Sequence, residues 1–254
     1  MSIQIHKYPQ KIIRRFSSII RIFSKKITTK IFIEPFSPSV NRSVRKDLLT
    51  FLDIAALNDL FTQVKQLEKN SNRNGIIIEA GCALGGSAIV MAKAKSKARP
   101  FYVYDAFGMI PPPSEKDGED CHKRYEVIRS GSAKGFGGNK YYGYEENLFE
   151  KVNENFIKYG VPVDENKVYL VKGLFENILH VNQPVALAHI DGDWYNSVMT
   201  CLQRIEPYLE QGGVLVIDDY YCWSGCRKAV DDYFSDKQSS YEFIRKCRLH
   251  IIRK

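Results

Sequence analysis

The stretch Ile76-Ile77-Ile78-Glu79-Ala80-Gly81-Cys82-Ala83-Leu84-Gly85-Gly86-Ser87 decides how the chain folds. Its short apolar run, rich in β-branched residues and closed by glycine, reads as a strand buried on both faces. A helical stretch follows from Ser87 to Ser96, so the glycines stand at a strand-to-helix turn, where bare backbone can approach a ligand closely. The same alternation continues outward. Strands are expected over residues 101–105, 167–171, 185–191 and 214–218, helices over 145–159, 197–209 and 225–234, and a strand-like segment over 241–252. Apolar strands alternating with helices predict an α/β fold, a doubly wound and mostly parallel sheet covered on both faces. Ligands then bind at the C-terminal ends of its strands.

The chain has 254 residues, 44% hydrophobic and 26% charged, enough for one substantial core. Its formal net charge is +8, but the charge is not spread evenly. Residues 1–30 hold eight of the 37 Lys and Arg and no Asp or Glu, so the remainder carries 29 residues of each sign. A near-neutral body with a basic N-terminal segment does not describe a nucleic-acid binder. Within that segment, residues 10–26 show helical periodicity, with Ile12, Ile13, Phe16, Ile19, Ile20 and Phe23 on one face and Arg14, Arg21 and Lys25 opposite. Such a helix suits peripheral contact with an anionic membrane, an organellar transit peptide, or packing on its own domain or on a second subunit. Arginine interrupts the apolar run, so no spanning helix is expected there, and the same break argues against a secretory signal peptide. Six scattered cysteines in a chain of this size read as reduced thiols of a cytoplasmic protein, held at most peripherally at the inner membrane face.

These features divide the chain into a basic extension, residues 1–40, and a single domain, residues 41–254. Pro35, Ser37, Pro38 and Asn41-Arg42-Ser43 read as a hinge between them. One or two amphipathic helices are expected over residues 46–69. Between residues 107 and 143 the pattern breaks into Pro111-Pro112-Pro113, charged residues and a glycine-rich run. An insertion of that length within a compact domain reads as an irregular lid.

Two groups of residues carry chemistry. Glu79, Gly81, Gly85 and Ser87 surround the first strand-to-helix turn, and Asp105 ends the next strand, where an acid can accept both hydroxyls of a ribose. The spacing is not G-x-G-x-x-G, so a dinucleotide cradle is poorly supported. An acid followed by Gly-x-x-x-Gly suits S-adenosylmethionine, which carries no phosphate. The second group is Asp191-Gly192-Asp193 and Asp218-Asp219, delivered by two apolar strands. If those strands are neighbours, at least three carboxylates converge on one rim. Their mutual repulsion calls for a hard divalent cation such as magnesium. Cys222 and Cys226 lack a second pair at zinc-ligand spacing and read as packing residues, and His122 and His189 as structural histidines before possible bases.

Beyond these elements, the chain resembles the macrocin O-methyltransferase family, metal-dependent and S-adenosylmethionine-dependent enzymes that methylate sugar hydroxyls. The resemblance rests on Glu79-Ala80-Gly81 to Ser87, Asp105-Ala106-Phe107-Gly108, residues 171–176, His189-Ile190-Asp191-Gly192-Asp193-Trp194-Tyr195-Asn196-Ser197, residues 212–220 and residues 225–232. It implies a Rossmann-like, seven-stranded class I methyltransferase sheet behind an N-terminal helical extension. By that resemblance Gly81, Gly85 and Ser87 line the methionine part of the cofactor, with Glu79 beside them, and Asp105 binds its ribose. Asp191, Asp218 and Asp219 would hold magnesium, and Asp193, or Asp191, would act as general base. The implied partner is a sugar-containing small molecule or glycan, without nucleic acid, acted on by a homo-oligomer. Met109-Ile110-Pro111 and Tyr221-Cys222-Trp223 depart from the family pattern on the acceptor side.

Asp-x-Asp at a strand end also serves sugar-nucleotide glycosyltransferases and aspartyl-phosphate phosphatases. Both readings leave the glycine loop and Asp105 without a role. A catalytically silent binding protein of the same fold would have no reason to keep a costly cluster of carboxylates.

Overall fold

A computed structural model of the chain describes residues 38–254. The basic segment and the helix expected over residues 10–26 lie outside the described residues.

The expected hinge at Asn41-Arg42-Ser43 is instead part of helix α1 (Ser39–Lys46), with Pro38 at its N-cap. Tertiary contacts override the polar composition: Asn41 is buried and donates to Asn58 Oδ1 at 2.8 Å, and Val44 is buried beside it. Helix α2 (Ile54–Lys69) is capped by Asp53, which accepts from the Ala56 amide at 2.8 Å. Its buried stripe of Leu57, Leu60, Val64 and Leu67 follows helical spacing and faces the sheet.

Then the alternating units begin: β1 (Ile76–Ala80), α3 (Gly86–Ala94), β2 (Phe101–Asp105), α4 (Glu119–Arg129), α5 (Leu148–Lys158), β3 (Val168–Lys172), α6 (Phe175–Ile178), β4 (Val185–Ile190), α7 (Tyr195–Ile205), β5 (Leu209–Ile217), α8 (Ser224–Tyr233), β6 (Tyr241–Arg245) and β7 (Leu249–Arg253). Among the described residues the sheet has seven strands in the order β3-β2-β1-β4-β5-β7-β6. The first five are parallel, and β7 runs antiparallel to both its neighbours. The segment expected as one strand over residues 241–252 is therefore a hairpin. It turns at Lys246-Cys247-Arg248, where the Lys246 amide bonds the Arg248 carbonyl at 3.1 Å.

Period-two alternation along β1 sends Ile77 to one core with Leu57, Ile89 and Phe156, and Ile76 and Ile78 to the other with Val198, Leu202 and Val230. Every residue of β1 and β4 is buried, which accounts for their unbroken apolar runs. The chain leaves β1 towards β2 and β3 and returns on the other side to β4. The C-terminal ends of β1 and β4 therefore form the topological switch point, where such sheets open a crevice.

The insertion expected to be irregular contains α4 and is clamped in place. Asp117 Oδ1 accepts from the Tyr195 amide at 2.7 Å, Trp194 Nε1 donates to the Pro111 carbonyl at 3.0 Å, and Ser224 Oγ bonds Asp120. Helix α4 escaped the sequence pattern because only Cys121 and Ile128 on it are buried.

Candidate active site

The turn after β1 is shaped by close backbone contact. Gly81 has φ +92°, and a Cβ there would stand 1.9 Å from the Asp191 carbonyl oxygen. Gly85 has φ +85° and caps α3. Asp105, at the end of β2, organises the same turn. Its Oδ2 accepts from the amides of Cys82 (2.7 Å) and Ala83 (3.2 Å), and its Oδ1 from that of Phe107 (2.6 Å). Burial pushes the Asp105 carboxyl above its ordinary range, and these amide bonds only partly offset it. Ala83, Phe107 and Asp193 all have positive φ, at 49°, 46° and 54°. Such strain at non-glycine residues gathers where the surroundings hold a functional geometry.

Gly81, Ala83 and Asp105 line one wall of a cleft, while Asp191, Asp193 and Trp194 line another. Ile110, Pro111, Tyr142 and Phe175 close it on the side of the insertion. Glu79, expected beside the cofactor, is fully buried beneath this cleft, and its Oε1 lies 2.9 Å from His189 Nδ1. Ser87 is buried on the first turn of α3. His122 lies on the exposed face of α4, and Cys222 is exposed whereas Cys226 is buried.

Strands β4 and β5 are neighbours, so their acidic ends do meet. Carboxylate oxygens of Asp191, Asp193 and Asp219 lie within 4.8 Å of one another. Burial, then the other three aspartates, pushes the Asp191 carboxyl far above its ordinary value. Asp219 is raised by burial and by Asp193 and Asp218. Asp193 is pushed up to about 6 by burial and Asp218, while Trp223 and Arg124 pull it down. Asp219 Oδ2 is buried and has no hydrogen-bond partner among the described residues. An all-oxygen cluster with an unsatisfied buried carboxylate oxygen fits a hard divalent cation.

Asp218, expected among the metal ligands, is oriented differently from the other three. Its Oδ1 accepts from Arg248 Nε at 2.6 Å and lies 3.5 Å from His189 Nε2. Burial raises its carboxyl, but His189 and Arg248 outweigh that and hold it below the usual range. Burial opposes protonation of His189, yet bonds to Asp218 and Glu79 raise its pKa to about 9. Arg248 had no signal in the sequence, since it sits in a hairpin turn that reads as continuous strand.

A family model described as macrocin-O-methyltransferase (TylF) matches residues 49–245. The chain belongs to this family. As a macrocin-O-methyltransferase family member it is 31% identical over 165 residues to 8-demethyl-8-(2,3-dimethoxy-alpha-L-rhamnosyl)-tetracenomycin-C 4'-O-methyltransferase of Streptomyces olivaceus. That match covers 63% of this chain but only 58% of the relative, less than two thirds of its length. It is 29% identical over 190 residues to demethyldecarbamoylnovobiocin O-methyltransferase of Streptomyces niveus, covering 72% of this chain and 67% of that one. Among solved structures, the O-methyltransferase NovP superposes with a TM-score of 0.66 at 25% identity, covering 84% of this chain and 87% of NovP. The calicheamicin methyltransferase CalS11 shares the fold, with a TM-score of 0.56 at 14% identity over 91% of this chain and 99% of CalS11. The sheet of this family member is thus the class I methyltransferase sheet. The family also removes the glycosyltransferase and phosphatase readings of Asp191-Gly192-Asp193.

Proposed function

We propose that the protein is a magnesium-dependent O-methyltransferase that moves a methyl group from S-adenosylmethionine to a sugar hydroxyl of a glycan or glycosylated small molecule. The observation that carries this reading is the meeting, at one switch point, of a phosphate-free glycine turn and four aspartates, Asp218 and Asp219 buried and Asp191 and Asp193 half-buried. The Streptomyces olivaceus relative supports a sugar-bearing acceptor, since its name describes a 4'-O-methyltransferase of a rhamnosyl-tetracenomycin. Bound S-adenosylmethionine would supply the electrophilic methyl carbon and its leaving group. Bound magnesium would supply positive charge that lowers the pKa of a nearby hydroxyl.

The chain's own residues divide the remaining work. Gly81 and Ala83 present bare backbone to the cofactor, and Asp105 holds that backbone in shape before it contacts any ribose. Asp191 and Asp219 would hold the cation together with Asp218, whose contacts to Arg248 and His189 both engage Oδ1, so that Oδ2 would be the ligand. Asp193 stands beside them with a pKa of about 6, close enough to neutrality to take a proton from an acidified hydroxyl. Its φ of 54° lies in the left-handed region, which a non-glycine residue keeps where its surroundings hold it there. Trp194, Ile110 and Tyr142 exclude water and present an apolar wall to the sugar ring. Positioning of this kind is worth on the order of 7–11 kcal/mol of barrier in a displacement reaction.

The test incubates the protein with deuterated S-adenosylmethionine, magnesium and a panel of glycosylated metabolites and glycans, and reads the products by mass spectrometry. Calorimetry with S-adenosylhomocysteine runs alongside. A deuteromethyl ether that disappears with chelator is expected. Absence of S-adenosylhomocysteine binding would overturn the cofactor, and transfer that is indifferent to chelator would overturn the metal.

A further inference from the structure

Beneath the acidic rim runs a continuous line of side chains that joins Asp218 to three residues with no role assigned above, Glu79, His189 and Arg248. It begins at Glu79 in β1, crosses to His189 in β4, passes to Asp218 at the end of β5, and ends at Arg248 between β6 and β7. Glu79 and His189 are wholly inaccessible to solvent, and the side chains of Asp218 and Arg248 are only 8% and 17% exposed. Registry explains how the line forms. Glu79 pairs with His189 and His189 with Val216 across adjacent parallel strands, so the two side chains project on the same level of the sheet. Leu249 pairs with Ile217 in the antiparallel ladder, which delivers Arg248 next to Asp218.

Arg248 is itself held in place. Its Nε donates to Asp218 Oδ1 at 2.6 Å, and one terminal nitrogen donates to the Cys247 carbonyl at 3.1 Å. A planar guanidinium anchored at two points fixes the rotamer of the carboxylate it touches, which a lysine ammonium on a flexible stem does not do. The position lies beyond the family match, which stops at residue 245.

We propose that Arg248 is a positioning residue of the metal site: by occupying Oδ1 of Asp218, with His189 behind it, it turns Oδ2 of Asp218 towards the cation. The antiparallel hairpin is then part of the active site and not merely the edge of the sheet. The inference rests on the metal reading above and goes beyond it by assigning a role to a side chain that touches neither cofactor nor acceptor. Hydrogen-bonded partners of metal ligands are typically worth 10–100-fold in metal affinity.

A competing effect has the opposite sign. A guanidinium close to a cation repels it, so if charge alone mattered, removing Arg248 would tighten metal binding. Two substitutions separate the effects. Arg248→Lys keeps the charge and loses the fork, and Arg248→Gln loses both.

The experiment titrates the purified full chain with magnesium chloride by calorimetry and with manganese by electron paramagnetic resonance. Melting temperature in chelator and affinity for S-adenosylhomocysteine are measured on the same samples. Both variants are expected to bind either cation 10–100-fold more weakly than the parent while S-adenosylhomocysteine affinity stays within threefold. A merely structural residue would instead lower the melting temperature and the S-adenosylhomocysteine affinity with it, and that result overturns the proposal. Cation affinity of Arg248→Lys within threefold of the parent, or tighter binding by Arg248→Gln, overturns it as well. If the parent chain itself binds neither cation, the metal reading fails, an outcome distinct from failure of the positioning role.

Discussion

Replacing Asp219 by asparagine should make the protein more stable without metal and insensitive to metal, and the size of both effects follows from the site. Oxygens of Asp191, Asp193 and Asp219 lie within 4.8 Å of one another. At an effective dielectric constant of about 20, two full charges at that distance repel by about 3.5 kcal/mol. Part of this is already relieved, because burial and repulsion raise the carboxyls of Asp191 and Asp219 so that the site takes up protons. Roughly 1–2 kcal/mol is therefore expected from removing one charge at pH 7.5, and the new amide can donate to Asp191. For a domain of this size that corresponds to an increase of about 2–8 °C in melting temperature in chelator. Magnesium at a hundredfold excess over its dissociation constant should stabilise the parent by about 2.7 kcal/mol and leave Asp219→Asn unmoved. Differential scanning calorimetry of both proteins, with chelator and with magnesium, reads all four states. A variant that melts no higher than the parent in chelator, or one that keeps the magnesium shift, would refute the argument that these carboxylates are held together for a cation.

Asp193→Asn should lower methyl transfer by ~10²–10⁴-fold with S-adenosylhomocysteine affinity preserved, since asparagine tolerates the positive φ of residue 193; an undiminished rate in a chelator-sensitive assay excludes Asp193 as base. Gly81→Ala would place a Cβ 1.9 Å from the Asp191 carbonyl, and a loss of about 3 kcal/mol or more in urea unfolding is expected. Asp117→Ala removes the acceptor of the Tyr195 amide and should cost about 1–2 kcal/mol, with faster hydrogen exchange across the insertion and the start of α7. His189, at about 9 in the folded chain against an ordinary 6.5, contributes stability that is whole below pH 6.5 and lost as pH rises through 9. Urea midpoints of the chelator-treated protein should therefore fall over that window, and His189→Gln should flatten the slope.

The fold was legible where burial is symmetric. Strands such as β1 and β4, covered on both faces, must be apolar throughout, and their runs stand out in the sequence. Helix α4 did not stand out, because its start is held by Asp117 and Asp120, which accept hydrogen bonds from the Tyr195 amide and the Ser224 hydroxyl, and not by an apolar stripe. The same holds for the β6–β7 turn, which is made by backbone bonds that leave no composition signal. Within the site, the aspartates were visible because they punctuate apolar strands. Their division of labour was not, since it depends on which oxygen faces Arg248 and His189. Glu79 shows the limit most clearly: its place at a strand end beside a glycine turn suits a ligand contact, yet strand pairing turns it inward to His189.

That inward turn bears on how the two halves of the site communicate. The cofactor turn is built from backbone, with Gly81 pressed against the Asp191 carbonyl and the Asp191 amide bonded to the Ala80 carbonyl at 2.9 Å. The acidic rim is built from side chains at the ends of β4 and β5, so it shares β4 with that turn, and Glu79 and His189 join β1 and β4 a second time beneath the cleft. A displacement of the turn by a fraction of an ångström therefore moves Asp191 directly and Asp218 through His189. Cofactor and cation binding should accordingly be linked, and the link must be reciprocal: whatever factor magnesium adds to S-adenosylhomocysteine affinity, S-adenosylhomocysteine adds to magnesium affinity. Because the backbone contact at Gly81 survives substitution of His189, His189→Gln should weaken this coupling without abolishing it, which distinguishes two parallel mechanical connections from one.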